Sequence, residues 1–86
     1  MTCALAEVVN IGPRLAAGLR GIGIDDLEEL RREGAMPVWE RLRRVDSFDC
    51  VHSLLALEGA IQGVRWHLLP VERRTELADF ARRRNS

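Results

Sequence analysis

The sequence predicts an all-α fold: a compact five- or six-helix domain around a central buried helix, containing a helix-hairpin-helix-like motif. Three observations predict it. Apolar residues recur at three- and four-residue spacing, strand-like alternation is missing, and Pro and Gly interrupt the chain at intervals that suit short helices. With 86 residues, and on the order of 100–200 usually allotted to one domain, the chain is expected to form a single domain over 1–86.

Taken in order, a first helix covers roughly Thr2 to Val9 and stops at the tight turn Asn10-Ile11-Gly12-Pro13. Pro13 opens the second helix at its first position, where a missing N–H costs nothing. Leu15, Ala16 and Leu19 give this helix an apolar stripe, and Gly21-Ile22-Gly23-Ile24 ends it. Asp25 is the expected N-cap of the third helix, with Glu28 completing an Asp-x-x-Glu capping box and Gly34 as its stop. Pro37 is expected to start the fourth helix, whose Val38, Leu42 and Val45 recur at i, i+4 and i+7.

Asp46 or Ser47 caps the fifth helix, about Phe48 to Gln62. It is apolar nearly all round, which marks the buried central helix. Gly59 and Gly63 lie four apart on it and would let a neighbouring helix come close; Gly63 serves equally well as a C-terminal cap. The sixth helix begins at Pro70, turns Leu77, Ala78 and Ala81 inward, and is expected to fray through Arg82 to Ser86.

Composition narrows the function classes. The chain is 47% hydrophobic and 30% charged, the balance of a soluble globule. Its 13 basic residues, all arginine, are matched by 13 acidic ones, so no overall basic charge draws it to nucleic acid or to a membrane surface. Any electropositive surface must be local. Cys3 and Cys50 cannot build a disulfide framework, the first residues make a poor signal peptide, and no apolar run reaches the roughly 18 residues of a span. The expectation is cytoplasmic, with no membrane partner.

The most informative stretch runs from Val9 to Leu19 and continues through Gly23-Ile24-Asp25-Asp26-Leu27-Glu28-Glu29-Leu30. A helix, a short turn with a glycine, and a second helix opening on Pro and a basic residue make a helix-hairpin-helix pattern. Two readings stay open. Unpaired N–H groups at the start of the second helix can hold a phosphate oxygen, with Arg14 adding a charge; alternatively the turn is a packing element whose Ile11 plugs the core. The phosphate candidates are Asn10, Gly12, Arg14 and, at longer range, Arg20. Asn10 stands where DNA-binding hairpins usually carry a glycine; it tolerates a left-handed backbone but crowds a phosphate.

The chain resembles a known family at several points. Asn10-Ile11-Gly12-Pro13, the later Gly-Ile with Asp-Leu-Glu-Glu-Leu, then Ser53 to Trp66 with its Ala-Leu-Glu-Gly-Ala core, and Leu69-Pro70 are similar to the C-terminal domain of the TfoX/Sxy family. The resemblance spans about Val9 to Ala81. It implies a helix-hairpin-helix-related domain and a role in regulating bacterial competence and DNA transformation. Longer members carry a further N-terminal α/β domain, so the implied partner is a transcription regulator or a separate N-terminal TfoX-type domain.

Other residues carry readings of their own. Glu58 sits among apolar neighbours, where a carboxylate is costly unless satisfied, so it is expected to be a buried structural group capping a helix or pairing with Arg14 or Arg65. Its functional alternative is a general base or an acidic contact to a partner. His52, His67, Cys3 and Cys50 lack zinc spacing, and Ser53, His67 and Glu58 lack the frame of a catalytic triad. No catalytic, cofactor or metal site is expected. Trp66 should cover one end of the core. Trp39, beside Glu40, Arg41, Arg43 and Arg44, is expected to be half exposed and, with Arg43, to form an interface; Arg41, Arg43 and Arg44 otherwise make a solvated face or a second phosphate candidate.

The expectation is therefore a non-catalytic regulatory domain that works through protein contacts and a weak, sequence-independent DNA contact. The alternative is a protein-interaction module or homodimer with no nucleic-acid role.

Overall fold

Residues 10–45 and 51–85 are described in a computed structural model of the chain. The expected first helix, the caps Asp46 and Ser47, and the start of the fifth helix at Phe48 lie outside them. Among the described residues the architecture is helical: α1 Pro13–Gly21, α2 Leu27–Glu33, α3 Ala35–Val45, α4 Val51–Gln62, a 3-10 turn at Trp66–Leu68, and α5 Val71–Asn85.

Helix α4 is the centre, packed against α2, α3, α5 and the 3-10 turn. Leu54, Leu55, Leu57 and Ala60 are all buried on it, which is why its sequence is apolar nearly all round. α1 contributes Leu15, Ala16 and Leu19, α3 contributes Ala35, Val38, Trp39 and Leu42, and α5 contributes Leu77 and Ala81.

Several boundaries follow the sequence signals. Pro13 stands at the first position of α1 after an extended Gly12. Gly34, at φ 89°, stops α2, and Gly63, at φ 74°, follows α4. Both use a left-handed conformation that a side chain would resist.

Other signals shift. The N-cap of α2 is Asp26, not Asp25: its carboxylate accepts from the N–H of Glu29 at 2.9 Å. Adjacent aspartates offer the same chemistry, and the exposed Asp25 falls one residue short of the helix. α3 begins at Ala35, two residues before Pro37. Proline is accepted in this first turn because its N–H would have no intrahelical partner there. α5 is helical through Asn85 instead of fraying from Arg82, since Arg43 donates to the carbonyl of Arg84 at 2.8 Å and Arg84 Nε lies 3.0 Å from Glu40 Oε1.

Trp39 is a larger correction, being fully buried. Ala35, Val38, Trp39 and Leu42 fall at i, i+3, i+4 and i+7, so the indole continues the inward stripe while its charged neighbours take the outer face. Phe80 meets it edge to face at 5.9 Å and Arg43 lies over its ring at 5.4 Å. Trp66, expected over the core, is 36% exposed, and Leu69 fills the interior position at 2%.

Candidate functional site

The turn that leads into α1 is built around Asn10, the only non-glycine residue with positive φ among the described residues, at 71°. That conformation turns its carboxamide toward the far end of α4. Nδ2 donates to the carbonyl of Val64 at 2.8 Å, and Oδ1 accepts from the N–H of Trp66 at 3.2 Å. One side chain thus fastens the turn to residues more than fifty positions away. Ile11, next in the chain, is 4% exposed and enters the core.

The glycines of α4 explain how Asn10 fits. A β-carbon on Gly59 would collide with Nδ2 of Asn10, and would stand 2.7 Å from the Val64 carbonyl oxygen and 3.2 Å from Cα of Trp66. The close approach expected at Gly59 is real, but what approaches is a carboxamide and a loop backbone, not a second helix.

These contacts divide the four phosphate candidates. Asn10 has both ends of its amide engaged within the fold. Gly12, the N-cap of α1, and Arg14, in its first turn, are both exposed. Arg20 is also exposed, about 9 Å further along the helix axis at the rise of a regular helix, where it complements the negative end of the dipole.

Glu58 is buried and paired, but with Arg73 of α5 and not with Arg14 or Arg65. Arg73 donates to it at 3.1 Å and Gln62 donates to its other oxygen. Burial pushes the Glu58 carboxyl up; the hydrogen bonds from Arg73 and Gln62 and the positive charge of Arg73 outweigh this and hold it below the usual range. A carboxylate so stabilised is a poor proton acceptor. The pair joins α4 to α5.

Two of the arginines of α3, Arg41 and Arg43, are equally engaged in the fold. Arg41 donates to the carbonyl of Ile22 and lies 3.5 Å from Glu33, tying α3 to α1 and α2. Arg43 binds Arg84 and stacks on Trp39, so the expected Trp39–Arg43 interface is a junction between α3 and α5. Among the described residues there is no ligand-sized cavity and no group of three side chains able to hold a metal. No helix among them is long and apolar enough to cross a membrane.

The arrangement is a domain whose polar side chains join its helices. Residues 1–81 match the TfoX C-terminal domain. The chain belongs to the TfoX C-terminal domain family. It is 43% identical over 77 residues to Protein Sxy of Escherichia coli strain K12, a match covering 90% of this chain and 37% of Sxy. It therefore spans little more than a third of that relative.

Two crystal structures from Listeria monocytogenes share the fold. One, an uncharacterized protein in a triclinic form, superposes with a TM-score of 0.94 at 37% identity, covering 98% of this chain and 96% of that one. The other, a protein of unknown function in a tetragonal form, gives 0.87 at 39% identity, covering 92% and 96%. Within this TfoX C-terminal domain, Asn10 is the residue whose role sequence reasoning missed. Its advance signals were its own place in the turn, where a left-handed backbone suits asparagine, and Gly59, which announced a close approach without naming the visitor.

Proposed function

We propose that this chain is a regulatory, non-catalytic domain of a TfoX/Sxy-type competence regulator, working by contact with a protein partner. That partner is a transcription regulator or an N-terminal TfoX-type domain. The observation that carries the reading is family membership over residues 1–81. The polar groups support it: Asn10, Glu58, Arg73, Arg41 and Arg43 all bind other parts of the fold, leaving none of them poised for chemistry. A chimera tests it, with this chain replacing the matching segment of Sxy in cells that lack Sxy. Restored transcription of competence genes is expected; a stable but silent chimera overturns the reading.

A second reading is favoured by the joint exposure of Gly12 and Arg14. The first turn of α1 makes a weak, sequence-independent contact to DNA phosphate. Binding to a duplex at low salt, weakened by Arg14→Ala, is the expected result. No binding at low salt, or affinity unchanged in that variant, removes the DNA contact.

A further inference from the structure

The Asn10 carboxamide joins two stretches of chain that share an unusual charge. From Asn10 to Ile24 there is no acidic residue, and none occurs from Gly59 to Val71. Arg14, Arg20 and Arg65 lie in these stretches, with His67 two residues after Arg65. Glu58, which borders the second stretch, is paired with Arg73. In a chain of zero net charge, the two stretches that Asn10 joins therefore carry arginine and no carboxylate.

Geometry puts Arg65 in that surface. Asn10 holds the carbonyl of Val64 and the N–H of Trp66, the residues on either side of Arg65. The backbone of Arg65 is thus flanked on both sides by contacts to Asn10, and Arg65 itself is exposed. Trp66 follows it with 36% of its surface open. The indole is supported by two imidazoles, His52 tilted against it at 5.3 Å and His67 edge-on at 5.7 Å. Leu68 and Val71 extend the exposed apolar surface at 65% and 66%.

We propose that this surface binds single-stranded nucleic acid, with Arg14 and Arg65 on the phosphates and an unpaired base stacked on Trp66. Positive charge selects a polyanion, and guanidinium groups match phosphate geometry. The exposed indole selects among polyanions. An acidic peptide offers it no flat partner, and a duplex keeps its bases stacked inside, whereas a single strand presents open base faces. The inference rests on the phosphate contact proposed above for Arg14 and adds the class of nucleic acid and the loop that reads it.

The test uses the full chain with a dT20 oligonucleotide, a duplex of the same length and polyglutamate, at 20 mM salt and upward. Trp66 reports directly, because Trp39 is buried and gives a constant background. Quenching of tryptophan emission by dT20 is expected, with tighter binding than to the duplex. Stacking of this kind predicts about a tenfold loss of affinity in Trp66→Ala. With about two phosphates contacted, by Arg14 and Arg65, log affinity should fall against log salt with a slope of about −1.4, reduced by about 0.7 in Arg65→Gln.

Thermal melts confirm that each variant is folded, and Arg65→Gln with the wild-type quenching carries the test should Trp66→Ala not fold. Equal affinity for duplex and dT20, with no quenching and no effect of Trp66→Ala, overturns the stacking proposal while leaving the Arg14 contact standing. No binding to either nucleic acid overturns both. Equal binding of polyglutamate overturns the assignment to nucleic acid.

Discussion

The carboxamide of Asn10 occupies the space that a β-carbon on Gly59 would fill. Each residue depends on the other: the glycine opens the surface of α4, and the asparagine uses the opening to bond Val64 and Trp66. Gly59→Ala should destabilise the domain by about 1–3 kcal/mol, since the neighbours it meets include backbone that cannot rotate away. For a domain this small each kcal/mol lowers Tm by roughly 4–8 °C. Circular dichroism melts check it. An unchanged Tm would mean that the loop yields freely.

Asn10 itself separates two contributions. Asn10→Gly keeps the left-handed backbone and loses both hydrogen bonds, at a cost of about 1–3 kcal/mol. Asn10→Ala adds backbone strain at φ 71° and should lose about 1 kcal/mol more. Urea midpoints for the two variants give the order. Should Asn10→Ala match or exceed Asn10→Gly in stability, the strain argument fails.

Glu58 makes stability depend on pH. Its folded carboxyl titrates below the ordinary value, so the stabilisation is fully present above the unfolded pKa and is lost as pH falls through the lowered folded one. Glu58→Gln should cost about 2 kcal/mol at pH 7, because Arg73 loses a charged partner. The gap between wild type and variant should close toward pH 3. Denaturant melts at pH 7, 5 and 3 measure it, and a Tm unchanged by the substitution at pH 7 would exclude a structural ion pair.

Trp39 carries a conflict within the core. Its ring is fully buried and packed on Phe80, yet its indole N–H has no hydrogen-bond partner among the described residues. A buried unsatisfied donor costs about 1–3 kcal/mol, which offsets part of what the ring contributes. Trp39→Phe should therefore change stability by less than about 1 kcal/mol, while Trp39→Ala, which empties the site, should cost about 3–5. Equal losses in the two variants would place the stabilisation in the N–H instead of the ring.

What was legible in the sequence was local. The apolar run of α4, Pro13 at the start of α1 and the stops at Gly34 and Gly63 each express a rule that acts within a few residues. The partners of polar side chains were not legible: Asn10 with Val64, Glu58 with Arg73 and Arg41 with Ile22 join residues 15 to 54 positions apart, and composition cannot select among 13 arginines. Trp39 was misplaced because its charged neighbours outweighed its own position in the stripe. Of the turn before α1, the burial of Ile11 followed from its apolar side chain; the helix expected ahead of it lies outside the described residues.

The start of α2 offers a sharp comparison between adjacent residues of identical chemistry. Asp26 has an extended backbone and its carboxylate holds the N–H of Glu29, while Asp25 is exposed one residue earlier. Asp26→Ala leaves that N–H without its acceptor and should cost about 1 kcal/mol. Asp25→Ala removes only a solvated charge and should stay within about 0.5 kcal/mol of wild type. Asp26→Asn restores the acceptor without the charge, and should recover most of the loss, since the hydrogen bond exceeds the dipole contribution at an exposed helix end. Chemical denaturation of the three variants decides the point. If Asp25→Ala proved the more damaging, the cap would belong one residue earlier, where the Asp-x-x-Glu spacing to Glu28 had put it.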